Sequence, residues 1–302
     1  MKCPGCLMEV HAKLLEKWNE YKIWRCPECE LAFADPRKNP GNEWYEEQDL
    51  YNIPSHFRGK DLLGWHHKQF LLRCPEPKGR LLDIGCGTGI FLTEVQRRGF
   101  EVAGVDFNVD SIQKAKNVYG LTDVHAQSFE DFSKGRERSF QVITFFEVLE
   151  HQEEPEVFIQ HVTRLLSPGG TICLSVPNDE RTPRFFIEGD YPPHHFTRWR
   201  KSTLTKFLNR HGFDVERIVE SGPQIHMWLG NTIRLGIGKG FLRRGRSSEK
   251  GSQQERRSLE IAGRLHYWKS LLLWYIGIPM DFILKLLGAK GFQLVVFARK
   301  RT

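Results

Sequence analysis

Hydrophobic and polar positions along the chain change period several times, and each change marks an element. Glu20 to Arg25 alternates like a short strand. Residues 42–75 read as helical and rich in aromatics (Trp44, Tyr45, Tyr51, Phe57, Trp65, Phe70), closing at Cys74-Pro75. The apolar run at 81–84 is the pattern of a buried strand. Gly85, Gly87 and Gly89 then make a tight turn that opens a helix predicted from about Ile90 to Arg98. Glu101 to Asp106 is the next strand. Farther on, Lys201 to Arg210 reads as a helix, Phe213 to Glu220 as a strand, and Gly291 to Arg299 as a last strand. Leu259 to Leu287 has a helical pattern that Pro279 should kink or divide.

A chain of 302 residues with 40% apolar and 27% charged residues has ordinary globular usage, which excludes wholesale disorder and suggests one large domain or a domain with an appendage. Seven cysteines are an odd number spread over a long chain, a poor fit to a secreted disulfide framework. The first residues have no apolar core like that of a signal peptide, so a reducing cytoplasm is expected. The longest uncharged apolar stretch, Ser270 to Met280, falls short of the roughly 20 residues that span a bilayer.

Four of the cysteines form two C-x-x-C pairs, Cys3/Cys6 and Cys26/Cys29, separated by 19 residues. Each C-x-x-C turn aims two sulfurs at one point, and two such turns supply the tetrahedral thiolates of a closed zinc site. Four cysteines leave no open coordination position, so the metal would stabilise a ribbon and do no chemistry. The competing readings are a redox dithiol, which would want a βαβ context neither pair has, and unrelated thiols.

Glycines in the 85–89 turn let a ligand approach the backbone closely, and Asp106 stands 21 residues after Gly85, where a carboxylate can accept both hydroxyls of a ribose. The spacing is G-x-G-x-G with Asp83 ahead of it, rather than the G-x-G-x-x-G of a nicotinamide enzyme. Asp83-Ile-Gly-Cys-Gly-Thr-Gly89 resembles the first motif of class I S-adenosylmethionine (SAM) dependent methyltransferases. The likeness continues through Asp106, through Ala126-Gln-Ser-Phe-Glu-Asp131, through Phe140 to His151 with its Val-Leu-Glu-His ending, and through Leu165 to Pro177. It covers residues 42–220 and the last strand.

The resemblance implies a doubly wound, Rossmann-like α/β sheet of seven strands with an antiparallel last strand, preceded by a small N-terminal zinc ribbon. The implied parts are a ribbon over 1–40, a SAM-binding core over 41–220, an insertion over 221–290, and the last core strand over 291–302. It also implies a SAM pocket formed by Asp83, Gly85, Cys86, Gly87, Thr88, Gly89, Asp106, Phe107, Gln127, Ser128, Phe129, Phe146 and Glu147. Cys86 reads as a small turn residue rather than a nucleophile.

Methyl transfer is an in-line displacement, and a base is needed only where the acceptor must lose a proton. His151, after the fourth strand, and His194 and His195, in Tyr191-Pro-Pro-His-His-Phe-Thr-Arg-Trp199, are the candidate bases. The competing readings are that His151 caps a turn or lines the pocket and that one of the pair only holds the loop. His66 and His67, in a helical stretch, read as structural. The PPHH-x-x-x-W segment resembles zinc-ribbon methyltransferases of the broad group that includes ubiquinone-pathway O-methyltransferases. The expected activity is methyl transfer to a small or lipid-linked acceptor, with oxygen preferred. The rivals are an RNA or protein methyltransferase gripping a polymer with ribbon and basic loop, and a non-catalytic SAM-binding scaffold.

The formal charge of +7 is concentrated in one place. Residues 234–257 carry eight basic and two acidic side chains, so the remaining 278 residues sum to +1. This weakens a nucleic-acid partner and favours a local contact with a phosphate-bearing lipid, carrier or protein. With the apolar stretch that follows, residues 234–288 read as a lid, a homodimer contact or a peripheral membrane contact at the inner face of a membrane.

Overall fold

The computed structural model describes residues 1–41, 63–76, 78–223 and 279–302. Most of the aromatic stretch at 42–62, the basic run 234–257 and the apolar run 259–278 therefore lie outside the described residues. The chain divides into two compact units, one of residues 1–179, 185–220 and 293–302, the other of 180–184 and 221–292.

In the first unit, β1 (Lys13–Trp18), β2 (Tyr21–Arg25) and β3 (Ala32–Asp35) form the cysteine ribbon, of which the sequence reading had found only the middle strand. Helix α1 (Trp65–Leu71) precedes β4 (Arg80–Ile84), whose residues after Arg80 are all buried. Then come α2 (Ile90–Arg97), β5 (Glu101–Asp106), α3 (Val109–Asn117), β6 (Val124–Ala126) and α4 (Phe129–Ser133). The second half runs β7 (Phe140–Phe146), α5 (Pro155–Leu165), β8 (Leu166–Pro177), β9 (Thr197–Arg198), α6 (Lys201–Arg210), β10 (Phe213–Glu220) and β11 (Gln293–Lys300).

Seven strands make the main sheet in the order β10-β11-β8-β7-β4-β5-β6. β4 pairs parallel to β5 and β7, and β11 pairs antiparallel to both β8 and β10, so the expected doubly wound sheet with a reversed last strand is present. Leu82, Ile84, Ala103, Val105, Ile143 and Phe145 pack into one large cluster, and Leu81, Val102, Val142 and Cys173 into another. Parallel strands covered on both faces read as continuous apolar runs for this reason. The helices place an apolar stripe on the sheet; in α5 it is Phe158, Ile159, Val162 and Leu165, at the helical spacing.

A second sheet, β1-β2-β3-β9, joins the ribbon to a strand from far along the chain: Ala32 pairs with Arg198 and Phe33 with Thr197. The ribbon cysteines also belong to the same buried cluster as Leu174 of the sheet and Leu204 of α6, so the ribbon packs as part of the first unit.

In the second unit, Thr182 N donates to Lys290 O at 3.0 Å and Phe292 N to Gly222 O at 3.2 Å. Residues 279–286 are helical. Phe282, Ile283, Leu286 and Leu287 are exposed on or just after this helix.

Candidate active site

Because β4, β5, β6 and β7 run parallel, their carboxyl ends share one edge, where the glycine turn 85–89, Asp106, Gln127 and Glu147 follow or end the strands. At Gly87, φ is +52° and an added Cβ would meet nothing within 4 Å, so the turn presents open backbone. At Gly89, φ is +78° and a Cβ would lie 2.4 Å from Leu121 Cδ1, which leaves glycine as the residue that can start α2 there. Cys86 is buried and its Sγ would lie 2.8 Å from a Cβ on Gly104, a space-filling role in keeping with a turn residue.

Asp106 ends β5 with its carboxylate fixed: Gly87 N donates to Oδ2 at 2.8 Å and Asn108 N to Oδ1 at 2.9 Å. Each oxygen keeps a lone pair, the acceptors that the two hydroxyls of a ribose diol need. Asp83 is fully buried in β4, and Thr144 Oγ1 donates to its Oδ1 at 2.6 Å. Burial pushes its carboxyl up to about 7, against the pull of Thr144, and Asp106 adds repulsion. Among the described residues no basic side chain pairs with it. A buried carboxyl held in this way fits the cationic methionine end of SAM.

This gives a pH prediction. Since its pKa is raised, Asp83 is neutral below about pH 7 and charged above it. SAM affinity, measured by calorimetry from about pH 6 to about pH 8, should strengthen with rising pH by up to about tenfold per unit on the acid side. Asp83→Asn should flatten that profile at weak affinity; a flat wild-type profile contradicts the reading.

Phe107 is exposed after β5, and Ser128 caps α4 by accepting from Asp131 N at 3.0 Å. Gln127 N donates to Asp106 O at 3.1 Å, which ties the expected adenine wall to the ribose end. Phe129 packs on Phe158, with ring centres 5.1 Å apart.

Glu147 follows β7 with φ +55°, a left-handed backbone that costs a non-glycine residue about 1–3 kcal/mol. Its Oε1 accepts from Ser175 Oγ and from Gln293 Nε2, both at 2.8 Å. Gln293 also donates to His66 Nδ1 at 3.2 Å, and the His66 ring stacks on Phe146 at 5.0 Å. These contacts leave the structural reading of His66 standing, while Ser175 and Gln293 are polar partners that the sequence does not single out. The available signal was a polar residue heading or interrupting an apolar strand. His67 also plays a structural part, accepting from Gly64 N at 3.0 Å and stacking on Phe91. Burial pulls His66 to about 4 and His67 to about 3, so both are neutral near neutral pH.

The three candidate bases come together. His151 Nδ1 lies 2.6 Å from His194 O; a carbonyl only accepts, so Nδ1 carries the proton and Nε2 the lone pair. The rings of His151 and His195 meet edge to face at 4.7 Å, and His195 Nδ1 is 3.9 Å from Asp190 Oδ1. Burial pulls His151 down to about 4 and lowers His194 as well. Both oxygens of Glu150 are buried and, among the described residues, have no hydrogen-bond partner; burial beside Glu147 and Asp190 raises its pKa well above the usual range. Glu150, His151 and His195 each bring one ligand atom within 4.8 Å of the others, a donor set that could hold a divalent cation.

The four ribbon cysteines are also gathered, with ligand atoms all within 4.8 Å. Cys3 and Cys29 sulfurs are 3.6 Å apart and those of Cys6 and Cys26 are 3.7 Å apart. Those are thiol separations rather than disulfides, and they match the edge of about 3.8 Å of a tetrahedron with Zn–S bonds of about 2.3 Å.

Comparison with known proteins agrees with this geometry. Residues 55–218 match the family described as "Methyltransferase domain". A ubiquinone biosynthesis O-methyltransferase of Xanthomonas oryzae pv. oryzae is 37% identical over 112 residues, which cover 35% of this chain and 46% of that protein. The chain thus spans about half the length of that relative. The protein of the same name from Xanthomonas axonopodis pv. citri is 32% identical over 178 residues, or 53% of this chain and 72% of the relative. A SAM dependent methyltransferase from Archaeoglobus fulgidus has the same fold, with TM-score 0.50 at 19% identity over 84% of this chain and all of that one. The glycine turn, the two strand-end aspartates and the reversed seventh strand are thus those of a class I SAM-dependent methyltransferase fold, and the chain belongs to the methyltransferase-domain family.

Proposed function

We propose that this protein transfers a methyl group from SAM to an oxygen of a small or lipid-linked acceptor, and that its ribbon holds one structural zinc ion. SAM supplies an electrophilic methyl group; Asp83 and Asp106 orient the two ends of the cofactor. The observation that carries the oxygen reading is the His151 tautomer. An imidazole with Nδ1–H tied to His194 O and Nε2 free to accept is suited to taking the proton of a hydroxyl as the displacement proceeds. The relatives named as O-methyltransferases support the same reading.

The test supplies methyl-labelled SAM with a phenol carrying a polyprenyl tail, the same phenol without the tail, bulk tRNA and a protein lysate. Label is expected in a phenol. Label in RNA or protein, or none anywhere from a chain that binds SAM, overturns the proposal.

A peripheral membrane contact belongs to the same reading. No helix among the described residues is long and apolar enough to cross a membrane. Phe282, Ile283, Leu286 and Leu287 are exposed, and the chain before them carries the basic run 234–257. Each apolar side chain gains about 1.5–3 kcal/mol on full burial, and each basic residue near an anionic surface about 1 kcal/mol. The protein should float with anionic vesicles and stay behind with neutral ones. Phe282→Asp with Leu286→Asp should abolish flotation; a wild type that stays at the bottom with both vesicle types removes the membrane contact.

A further inference from the structure

We infer that the cysteine ribbon positions the histidine-bearing loop 186–198, and that Glu16 is the residue that locks it. The loop lies between two supports. On the inner side it is tied to the end of β7: Phe196 N donates to Glu150 O at 2.8 Å, and His194 O accepts from His151 at 2.6 Å. On the outer side a series of ties goes to the ribbon. Thr197 and Arg198 pair with β3, and Ala34 N donates to Phe196 O at 2.8 Å. Trp18 stacks on Tyr191 with ring centres 4.1 Å apart and planes 15° apart. Glu16 accepts from Tyr191 Oη at 3.1 Å and from Arg198 Nη1 at 2.5 Å.

Arg198 makes this arrangement consequential. Its guanidinium lies over Phe186 at 4.1 Å and over Tyr191 at 4.7 Å, so it gathers the start, middle and end of the loop into one stack. The side chain is 7% exposed and, among the described residues, Glu16 is its carboxylate partner. Glu16 is itself 35% exposed, so the pair is partly buried; removing Glu16 still leaves the charge on the buried Arg198 uncompensated, which costs more than removing both. The loop should therefore detach when Glu16 loses its charge, and reattach in part when Arg198 loses its own. Glu16 is a positioning residue: it acts on the reaction through His194 and His195, and that part of the inference rests on the proposed methyl transfer.

The test is amide hydrogen exchange on the full chain. In Glu16→Gln and in Trp18→Ala, exchange over 187–196 should speed up by at least about tenfold, while β4, β7 and β2 keep their protection. Glu16→Gln with Arg198→Met should exchange more slowly than Glu16→Gln alone. SAM affinity should stay within about twofold, and with a phenol the wild type methylates, KM for the phenol should rise at least about tenfold at unchanged KM for SAM. Unchanged exchange in both single variants, or equal loss of protection in β4 and β7, overturns the inference. If the wild type methylates no phenol, the proposed function fails, while the exchange result still decides whether the ribbon holds the loop.

Discussion

Extracting the ribbon metal, or replacing Cys29 by serine, should lower the melting temperature by on the order of 10 °C, from a loss of several kcal/mol at about 2–4 °C per kcal/mol. Beyond the core cluster that its cysteines share, the ribbon has one small apolar cluster. Its own apolar cluster is Tyr21, Ile23, Ala32, Ala34 and Phe196, and one of those five comes from the histidine loop. The thiols of the metal-free cluster oppose one another: hydrogen bonding from Cys29 lowers Cys3 to about 5, while burial raises Cys6 to about 11. A dication resolves this conflict by taking all four as thiolates. The damage should spread past the ribbon, because Thr203 Oγ1 in α6 donates to Cys29 O at 3.0 Å and Arg210 donates to Cys6 O. Calorimetry and metal analysis on chelated and Cys29→Ser protein check this. One zinc per chain and a lowered transition are expected; a chelated, metal-free chain with an unchanged thermogram contradicts the zinc assignment.

Much of this fold was legible because burial on both faces writes itself into the sequence. The run at 81–84, the glycine turn, and the strands ending at Asp106 and Glu220 all stand as read. Where one face meets solvent the signal thinned. Helix α3 has only Ile112 and Ala115 buried, and β6 is three residues long, so neither rose above its surroundings. The pairing of β3 with β9 could not be read at all. It joins Ala32 to Arg198, and a two-residue strand has no periodicity of its own. Without that pairing the ribbon reads as a separate appendage; with it, the ribbon becomes a support for the loop 186–198.

The candidate site divides in the same way. Asp83, Gly87 and Asp106 were legible because backbone geometry and a fixed spacing place them, whatever the rest of the chain does. The partners of Glu147 were not. Ser175 and Gln293 reach it from β8 and β11, neighbours only through a strand pairing that spans more than a hundred residues. The role of His194 was half legible: the sequence offered its imidazole as a base, and the structure shows that its carbonyl orients His151.

His151→Ala should slow methyl transfer to a phenol by about 10²–10⁴-fold, the usual worth of a positioned general base. SAM affinity should hold, since the cofactor acids Asp83 and Asp106 bond to Thr144, Gly87 and Asn108 and not to this ring. The loss would come from two sources that a second acceptor separates. If His151 Nε2 takes the proton, a phenol of lower pKa, already ionised at the assay pH, no longer needs it and should recover most of the rate. If the ring instead matters because its Nδ1–H holds His194 O and hence the loop, the ionised phenol should be as slow as the neutral one. His195→Ala sharpens the comparison, because it removes the edge-to-face contact at 4.7 Å without touching the His151 tautomer. A large defect in His151→Ala that the acidic phenol relieves, beside a smaller one in His195→Ala, assigns the proton to His151. Equal slowing with both phenols assigns it to neither and leaves the pair as the hinge that holds the acceptor in line.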